Sequence, residues 1–372
     1  MSLNRVAVVA SAQTELRPAW SNAQHIDLIS SVVTSVFKGA GLTLDDVDFV
    51  IDSGSDVLDG RSISNCGFLG ALGAHHKEEA RVEEDGLWAA LYGVNKIRSG
   101  ASSVGLIVAY SKPSESSVDA YWASQCEPFY QRPVGFGQRA AIGIQAQRYF
   151  TAHGVSARDL ADLVATRWTA AAANGSVEIG QAPDAEAVLA SADAALPLTE
   201  LMLSRPIDGA VAVLIAREDI ARRLNTAPVF VTGMGTSMDT HAFAARAPGK
   251  LASCEAAAAM AYKKAGWAGV EVDVAEVSAA SVVNELMVIE ALGLAAPGAG
   301  LAAANDGKVA INKSGGALPA DPIMATGLVR LAQAARQLSG PGIYGLTAPK
   351  RAVVHGAGGV GMQNNCVFTL EV

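Results

Sequence analysis

The sequence predicts an α/β protein whose core is a strand–helix–strand–helix–strand unit that occurs twice. Apolar β-branched runs alternate with helical stretches, and both halves of the chain show the same order of elements. Half of the 372 residues are hydrophobic and 17% are charged, which is enough apolar material to bury several elements. Such alternation is typical of sheets rich in parallel strands and covered by helices. We expect one half at residues 1–225 and the other at 226–372.

The first half contains apolar strands and helices that each end at a glycine. In chain order we predict a strand at 5–14, a helix ending at Gly41, a strand at 45–54, a helix at 86–100 and a strand at 104–111. The second half repeats this order. We predict a strand at 228–237, a helix at 254–266, a strand at 271–281, a helix at 327–340 and a strand at 351–359.

A loop-rich insertion, about residues 112–200, separates the first unit from its closing strand. It contains a helix at 137–154 and several aromatic residues. An excursion of this kind over an α/β core is a common place for a substrate to bind. The aromatic residues either line a large apolar pocket or form the core of the insertion, and they are Tyr121, Trp122, Phe129 and Tyr130.

Composition excludes several classes of protein. The net charge is −8 without a Lys/Arg cluster, which argues against a nucleic-acid partner. No run has the length of a membrane span and no signal-peptide pattern opens the chain. The four cysteines show no CxxC spacing, so we predict neither a disulfide framework nor a metal site, and a cytoplasmic location. They are Cys66, Cys126, Cys254 and Cys366.

Several motifs occur in an order that resembles the thiolase superfamily, and most of all its sterol-carrier-protein type. They are SRPIDGAVAVLIA at 204–216, VNELMVIEALGL at 283–294, INKSGGALPADPIMATG at 311–327 and HGAGGVG at 355–361. The resemblance implies a duplicated, five-layered α-β-α-β-α thiolase fold with a loop-domain insertion in its first half. It also implies acyl-CoA as the ligand, with coenzyme A as part of the substrate and no covalently bound cofactor.

The family's nucleophilic cysteine lies where the second helix of the first half begins. Anchoring on Gly86-Leu87 places Glu83 at that position, followed by Glu84 and Asp85. Acidic residues at a helix N-terminus favour its dipole, so a charge-stabilised helix start is one explanation. The other is a base or substrate anchor, because close carboxylates raise one another's pKa when buried. The sequence does not decide which of the three acids occupies the position.

The resemblance also assigns the remaining chemical positions. Ser278 and Asp321 stand where the family has histidines, while Asn284 and His355 match. By this resemblance, Asn284 would orient a water molecule of an oxyanion hole, and His355 would take part in proton transfer. Simpler explanations stay open: Asn284 as a helix N-cap, Asp321 as a turn cap, and His355 as a hydrogen-bonded core residue. Asp321 opposite Glu83 could instead form a paired-acid site.

Small residues in two glycine-rich segments are expected to contact the acyl-CoA. They are Ser314, Gly315, Gly316, Ala357 and Gly358. Glycines there most simply allow tight turns, and backbone N–H groups of such turns can also face an acyl carbonyl.

The leading hypothesis is an acyl-CoA-binding, thiolase-like protein without cysteine-based thiolysis. It would either catalyse retro-aldol cleavage or decarboxylation, or serve as a silent subunit beside an active chain. The resemblance further implies a homodimer or hetero-oligomer and a zinc-ribbon/OB-fold partner over the acyl-CoA entrance. The alternatives are a structural or lipid-binding protein, and a true thiolase that uses Cys66 or Cys254.

Overall fold

The computed structural model describes residues 4–224, 227–340 and 342–372. The expected boundary between the halves, at 225/226, lies outside the described residues. Among the described residues, no helix combines the length and the apolar character needed to cross a bilayer.

The first half of the chain folds into the predicted alternation, with a long excursion before its last strand. Its main elements are β1 (Val6–Gln13), α1 (His25–Val36), β2 (Phe49–Ser53), α2 (Asp56–Asp59), β3 (Glu78–Val82), α3 (Gly86–Arg98) and β4 (Val104–Ser111). The excursion contains α4 (Val118–Ser124), α5 (Gln138–His153), α6 (Ala157–Asn174), α7 (Ala185–Leu189), β5 (Asp193–Ala195) and β6 (Leu198–Thr199). The chain then continues through β7 (Gly209–Arg217) and α8 (Glu218–Leu224).

The second half repeats the order without a comparable excursion. Its elements are β8 (Val229–Met238), α9 (Ala252–Ala265), β9 (Val274–Val277), α10 (Val282–Ala291), α11 (Gly300–Asp306), β10 (Ala310–Ile311), α12 (Thr326–Ser339), β11 (Arg351–Gly358) and β12 (Asn364–Glu371).

The main strands form one sheet in the order β10-β9-β11-β12-β8-β1-β7-β4-β2-β3. Reading outward from the β1–β8 contact, β1-β7-β4-β2-β3 mirrors β8-β12-β11-β9-β10, which confirms the duplication. The expectation of a parallel-rich sheet is only partly correct. Strands at the two outer ends pair in parallel, whereas β4–β7, β1–β7, β1–β8, β8–β12 and β11–β12 are antiparallel.

The elements stack in the five layers that the resemblance implied. Helices α3 and α12 lie between the two half-sheets, in a buried core that contains residues from strands of both halves. Helix α1 covers the outer face of the first half-sheet. Helices α9 and α10 cover the outer face of the second, and α5 and α6 of the excursion extend that core.

Two helix boundaries differ from the prediction. Helix α1 ends at Val36, five residues before Gly41, because the chain leaves the helix at Phe37 and turns through left-handed Gly39 and Gly41. Helix α10 begins at Val282, with Ser281 as its N-cap, whose Oγ accepts from the backbone N–H of Asn284 (3.2 Å). Asn284 is therefore not the N-cap.

Candidate functional site

A cavity of about 800 Å³ lies between the excursion and the N-termini of α3 and α12. One side is largely apolar and is formed by Tyr121, Trp122, Phe136, Ile142, Ile323, Met324 and Met362. The polar residues of the cavity wall include Glu84, Asp85, Ser204, Ser278 and Asp321, and also Asp119, Arg132, Arg139 and Glu200. The aromatic residues of the insertion divide accordingly: Tyr121 and Trp122 line the cavity, whereas Phe129 and Tyr130 are 79% and 83% exposed.

Asp85 is the N-cap of α3 and also binds the start of α12. Its Oδ1 accepts from the N–H of Leu87 (2.9 Å) and its Oδ2 from the N–H of Gly327 (2.7 Å). Burial raises the pKa of Asp85 to about 8, although these two N–H groups oppose the rise; the carboxylates of Glu84 and Asp321 add to it. The side chain thus combines a structural role with a place on the cavity wall.

Glu84 precedes this cap and extends over β11 and β12. Its Oε2 accepts from Nδ2 of Asn364 (2.7 Å), while its Oε1 has only a long contact with the N–H of Asp85 (3.4 Å). Burial raises the pKa of Glu84, with the Asn364 hydrogen bond opposing it. Of Glu84, Asp85 and Asp321, Glu84 therefore has the oxygen that is least engaged by the protein.

Asp321 lies in the segment before α12. Its Oδ2 accepts from the hydroxyl of Ser204 (2.7 Å) and its Oδ1 from that of Thr326 (2.6 Å). Burial raises the pKa of this carboxyl as well. Both oxygens are hydrogen-bonded, which holds the group on the cavity wall beside Glu84 and Asp85.

Glu83 lies outside the cavity wall. It is exposed, and its Oε1 accepts from the N–H of Asp56 (2.9 Å) and lies 3.4 Å from Nε of Arg81. The structure thus brings Glu84 and Asp85, rather than Glu83, to the face that meets Asp321.

The glycines of β11 make room for these acids. A Cβ at Gly356 would lie 2.8 Å from Oδ1 of Asp85, and one at Gly358 would lie 1.9 Å from Oε1 of Glu84. Neither glycine has a positive φ, so space rather than backbone conformation requires them. Gly358 and its neighbour Ala357 both line the cavity.

His355 is fully buried and is not among the lining residues. Side chains alternate along a strand, so His355 points away from the face that Gly356 and Gly358 present to the acids. Its Nε2 lies 2.8 Å from Oδ1 of Asn365 and its Nδ1 lies 3.2 Å from the carbonyl oxygen of Ser278. Burial lowers the pKa of His355 to about 4, so the ring is neutral at pH 7. This environment places the ring behind the loop that contains Ser278.

Asn284 is likewise buried away from the cavity lining. Its Nδ2 donates to Oε1 of Gln145 (3.0 Å) and its Oδ1 accepts from the hydroxyl of Ser281 (2.8 Å). Ser278, where the family has a histidine, does line the cavity, and its buried Oγ has no hydrogen-bond partner among the described residues.

Three of the expected acyl-CoA contacts lie in the protein interior instead of the cavity wall. Ser314 donates to Oε2 of Glu276 (2.6 Å) and accepts from Arg330 (2.7 Å). Gly315 packs against Ala171 of α6, and Gly316 has a positive φ in a tight turn. The charged pair of Glu276 and Arg330 is itself buried, at 2.8 Å.

No cysteine is among the described residues that line the cavity. Cys366 on β12 is fully buried close to the acids, and burial raises its pKa well above the ordinary value. Burial also raises the pKa of Cys254 on α9. Cys66 is exposed and is also absent from the lining. A thiolate nucleophile is therefore not part of the described wall.

Comparison with known proteins agrees with this architecture. A family model described as "Thiolase C-terminal domain-like" matches residues 235–370. An acetyl-CoA acetyltransferase of Methanocaldococcus jannaschii is 26% identical over 320 residues, covering 83% of this chain and 81% of that protein. The predicted resemblance to the thiolase superfamily is thus confirmed. The chain is thiolase-like, and this relative is, by its name, an enzyme that acts on acetyl-CoA.

Solved thiolase-superfamily structures share the whole fold. The Ltp2–ChsH2(DUF35) aldolase matches with a TM-score of 0.84 at 19% identity, covering all of this chain and 99% of that one. Human mitochondrial 3-ketoacyl-CoA thiolase in complex with CoA matches with a TM-score of 0.76 at 19% identity, with the same coverage. At such identities the likeness extends to the fold and not to the chemistry.

Sequence reasoning gave no specific role to one lining residue, Tyr121. Its only signal was the cluster of aromatic residues in the insertion. Tyr121 lies on the cavity wall, with its hydroxyl 3.4 Å from Sδ of Met324, because α4 packs over the start of α12, a contact between segments about 200 residues apart. Spacing in the chain contains no information about such a contact.

Proposed function

We propose that this thiolase-superfamily chain binds an acyl-CoA and cleaves or forms a carbon–carbon bond beside the thioester by proton transfer through carboxylates. The observation that supports this is the cavity wall at the N-terminus of α3. There Glu84 and Asp85 lie with Asp321, and the described lining contains no cysteine. In this proposal, acids take the place of the cysteine that the thiolase resemblance implies for thiolysis.

Glu84 is the general base of this proposal. Asp85 and Asp321 accept hydrogen bonds with both oxygens, whereas Oε1 of Glu84 has only a long one. Burial raises the pKa of Glu84 above its ordinary value, as suits a group that takes up a proton and returns it.

Retro-aldol cleavage fits this wall better than decarboxylation. A 3-hydroxyacyl-CoA gives its hydroxyl proton to Glu84, the Cα–Cβ bond breaks, and its electron pair forms the thioester enolate while Cβ becomes a carbonyl. Glu84 then returns the proton to Cα. A decarboxylation substrate would instead have to place its own carboxylate beside Glu84, which must be ionised to act as the base, and the two like charges would repel.

The expected partners belong to the same proposal. The aldolase neighbour is, by its name, a complex with a DUF35 protein, which supports a zinc-ribbon/OB-fold partner at the entrance. A partner at the entrance could cover an exposed apolar segment that directly precedes two lining residues, Gly135 and Phe136. The exposed side chains of this segment are Phe129, Tyr130 and Val134. The edge strand β3, which is half-buried except at Glu78, is where a homodimer would join its sheets. The cytoplasmic location remains a prediction from cysteine usage.

Glu84→Gln tests the proposal, with Glu83→Gln as a matched control on the adjacent, exposed acid. The substrate is 3-hydroxyoctanoyl-CoA, and the products hexanal and acetyl-CoA are measured by mass spectrometry. We expect Glu84→Gln to lower kcat/KM by about 10²–10⁴-fold and Glu83→Gln to leave it unchanged.

Equal effects of the two substitutions would contradict the role of Glu84. CoA-dependent thiolysis of 3-ketooctanoyl-CoA by the unmodified chain would contradict the proposal as a whole. Binding of the substrate without any cleavage would identify the silent-subunit alternative.

A further inference from the structure

Tyr121 places a phenol at the acidic side of the cavity. The residue lies on α4 and is 6% exposed. Its ring packs in a small apolar cluster with Leu58, Ile323 and Met324, which fixes its direction. The ring also contacts Trp122, at 4.8 Å between centroids. Tyr121 lines the cavity, and its hydroxyl lies against Met324 of the same wall.

The phenol hydrogen has a poor acceptor within the protein. The hydroxyl contacts Sδ of Met324 at 3.4 Å, and a thioether is a weak hydrogen-bond acceptor. Burial raises the pKa of Tyr121, while hydrogen bonding with the Gln125 side chain opposes the rise. Buried tyrosine hydroxyls ordinarily pair with oxygen or nitrogen, so this one can exchange sulfur for a better acceptor on a ligand.

The nearby acids keep the phenol protonated, and two of them already accept hydrogen bonds from the protein. Burial raises the pKa of Tyr121, and the charges of Glu84, Asp321 and Asp85 raise it further. Asp85 and Asp321 already accept hydrogen bonds with both oxygens. Tyr121 is therefore a neutral donor in a wall whose carboxylates, once ionised, can only accept.

A substrate hydroxyl between Glu84 and Tyr121 can satisfy both groups. It donates its proton to the carboxylate and accepts a hydrogen bond from the phenol. Accepting that bond makes the hydroxyl easier to deprotonate, because the phenol stabilises the negative charge on the oxygen. In the reverse direction the same bond polarises the carbonyl that the enolate attacks.

We propose that Tyr121 is a catalytic residue that donates a hydrogen bond to the substrate's 3-oxygen, the oxygen whose proton Glu84 accepts. This assignment rests on the proposed function above. Tyr121 keeps its own proton throughout: the substrate proton moves to Glu84 and back to Cα, and the bonding pair of Cα–Cβ becomes the enolate.

The test compares octanoyl-CoA with 3-hydroxyoctanoyl-CoA, which differ only by the 3-hydroxyl. Calorimetric titrations use Glu84→Gln, in which the proposed cleavage is slow, alone and combined with Tyr121→Phe. The matched control combines it with Tyr262→Phe, because Tyr262 is a phenol outside the cavity that donates to the carbonyl oxygen of Leu292 (2.8 Å). Thermal unfolding of each variant measures any loss of folding separately.

In Glu84→Gln we expect the 3-hydroxyl to tighten binding by about 3–10-fold, the range of one neutral hydrogen bond. Tyr121→Phe should reduce that preference to about onefold, and Tyr262→Phe should leave it intact. A preference that survives Tyr121→Phe, disappears with Tyr262→Phe, or is already absent in Glu84→Gln would overturn the role of Tyr121 alone. If neither the unmodified chain nor any variant binds either ligand, the proposal of acyl-CoA binding is contradicted, and so is the assignment of Tyr121.

Discussion

Asp85 and Gly327 join the starts of the two central helices. Oδ2 of Asp85 accepts the N–H of Gly327 on α12 at 2.7 Å, while its Oδ1 caps α3. A Cβ at Gly327 would lie 2.0 Å from Oδ1 of Asp85, so the glycine is required for this approach. One carboxyl thus satisfies helix N-termini from both halves of the duplication, at the wall of the cavity.

Asp85→Ala is expected to lower the free energy of unfolding by about 2–4 kcal/mol, because two buried N–H groups lose their acceptor. Denaturant titration measures this change. Ser156→Ala is the matched control, since Ser156 caps one exposed helix start by accepting from the N–H of Asp159. It should cost only about 1 kcal/mol. If the two variants lose the same free energy of unfolding, the contact between Asp85 and α12 does not contribute to stability.

Stability should also depend on pH through Asp85. Its pKa rises from 3.8 to about 8 on folding, through burial. The unfolded chain releases this proton above pH 3.8 while the folded chain keeps it, so the stabilising contribution is complete below pH 3.8 and declines as pH rises to about 8. The stability difference between the unmodified chain and Asp85→Asn should therefore shrink from pH 4 to pH 8.

Asp219→Asn is the control for that pH series. Asp219 is exposed, and the hydrogen bond from Arg217 lowers its pKa to about 2, so its contribution is nearly complete at pH 4 and changes little up to pH 8. Unfolding curves at each pH supply both comparisons. A constant difference for Asp85→Asn over this range would contradict the assignment of a raised pKa.

Gly358→Ala should displace Glu84, because the new Cβ would lie 1.9 Å from Oε1 of that residue. We expect kcat/KM for cleavage of 3-hydroxyoctanoyl-CoA to fall about tenfold or more, since a displaced base loses its alignment. Gly180→Ala provides the comparison, as a Cβ there meets nothing within 4 Å. Full activity of Gly358→Ala would mean that Glu84 is not the base.

Alkylation distinguishes carboxylate chemistry from thiol chemistry. At neutral pH iodoacetamide should label Cys66, the exposed cysteine, and leave the buried Cys126, Cys254 and Cys366 unmodified. Binding of octanoyl-CoA should not change, because none of these side chains lines the described cavity. Peptide mass spectrometry and calorimetry measure the two outcomes, with Cys66→Ser as the unlabelled control. Loss of binding that tracks the labelling of Cys66 would favour the alternative of a cysteine-dependent thiolase.

The repeated order of apolar runs and glycine-ended helices predicted the duplicated architecture. Local patterns determine such elements, because burial periodicity and helix-ending glycines act within a few residues. The pairing directions were less predictable. Antiparallel contacts such as β1–β8 join strands more than 200 residues apart, and no local pattern specifies that contact.

The candidate site was likewise predictable only in its local features. Sequence alone located an acidic helix start at residues 83–85 and the glycines of the 355–361 segment, because both are local features. Only the tertiary structure decided that Glu84 and Asp85 face the cavity while Glu83 faces Asp56 and Arg81. It also decided that the side chain of His355 is buried away from the cavity and that Tyr121 lies on the cavity wall. Strand alternation and packing between distant segments determine where a side chain points, and neither can be read from spacing along the chain.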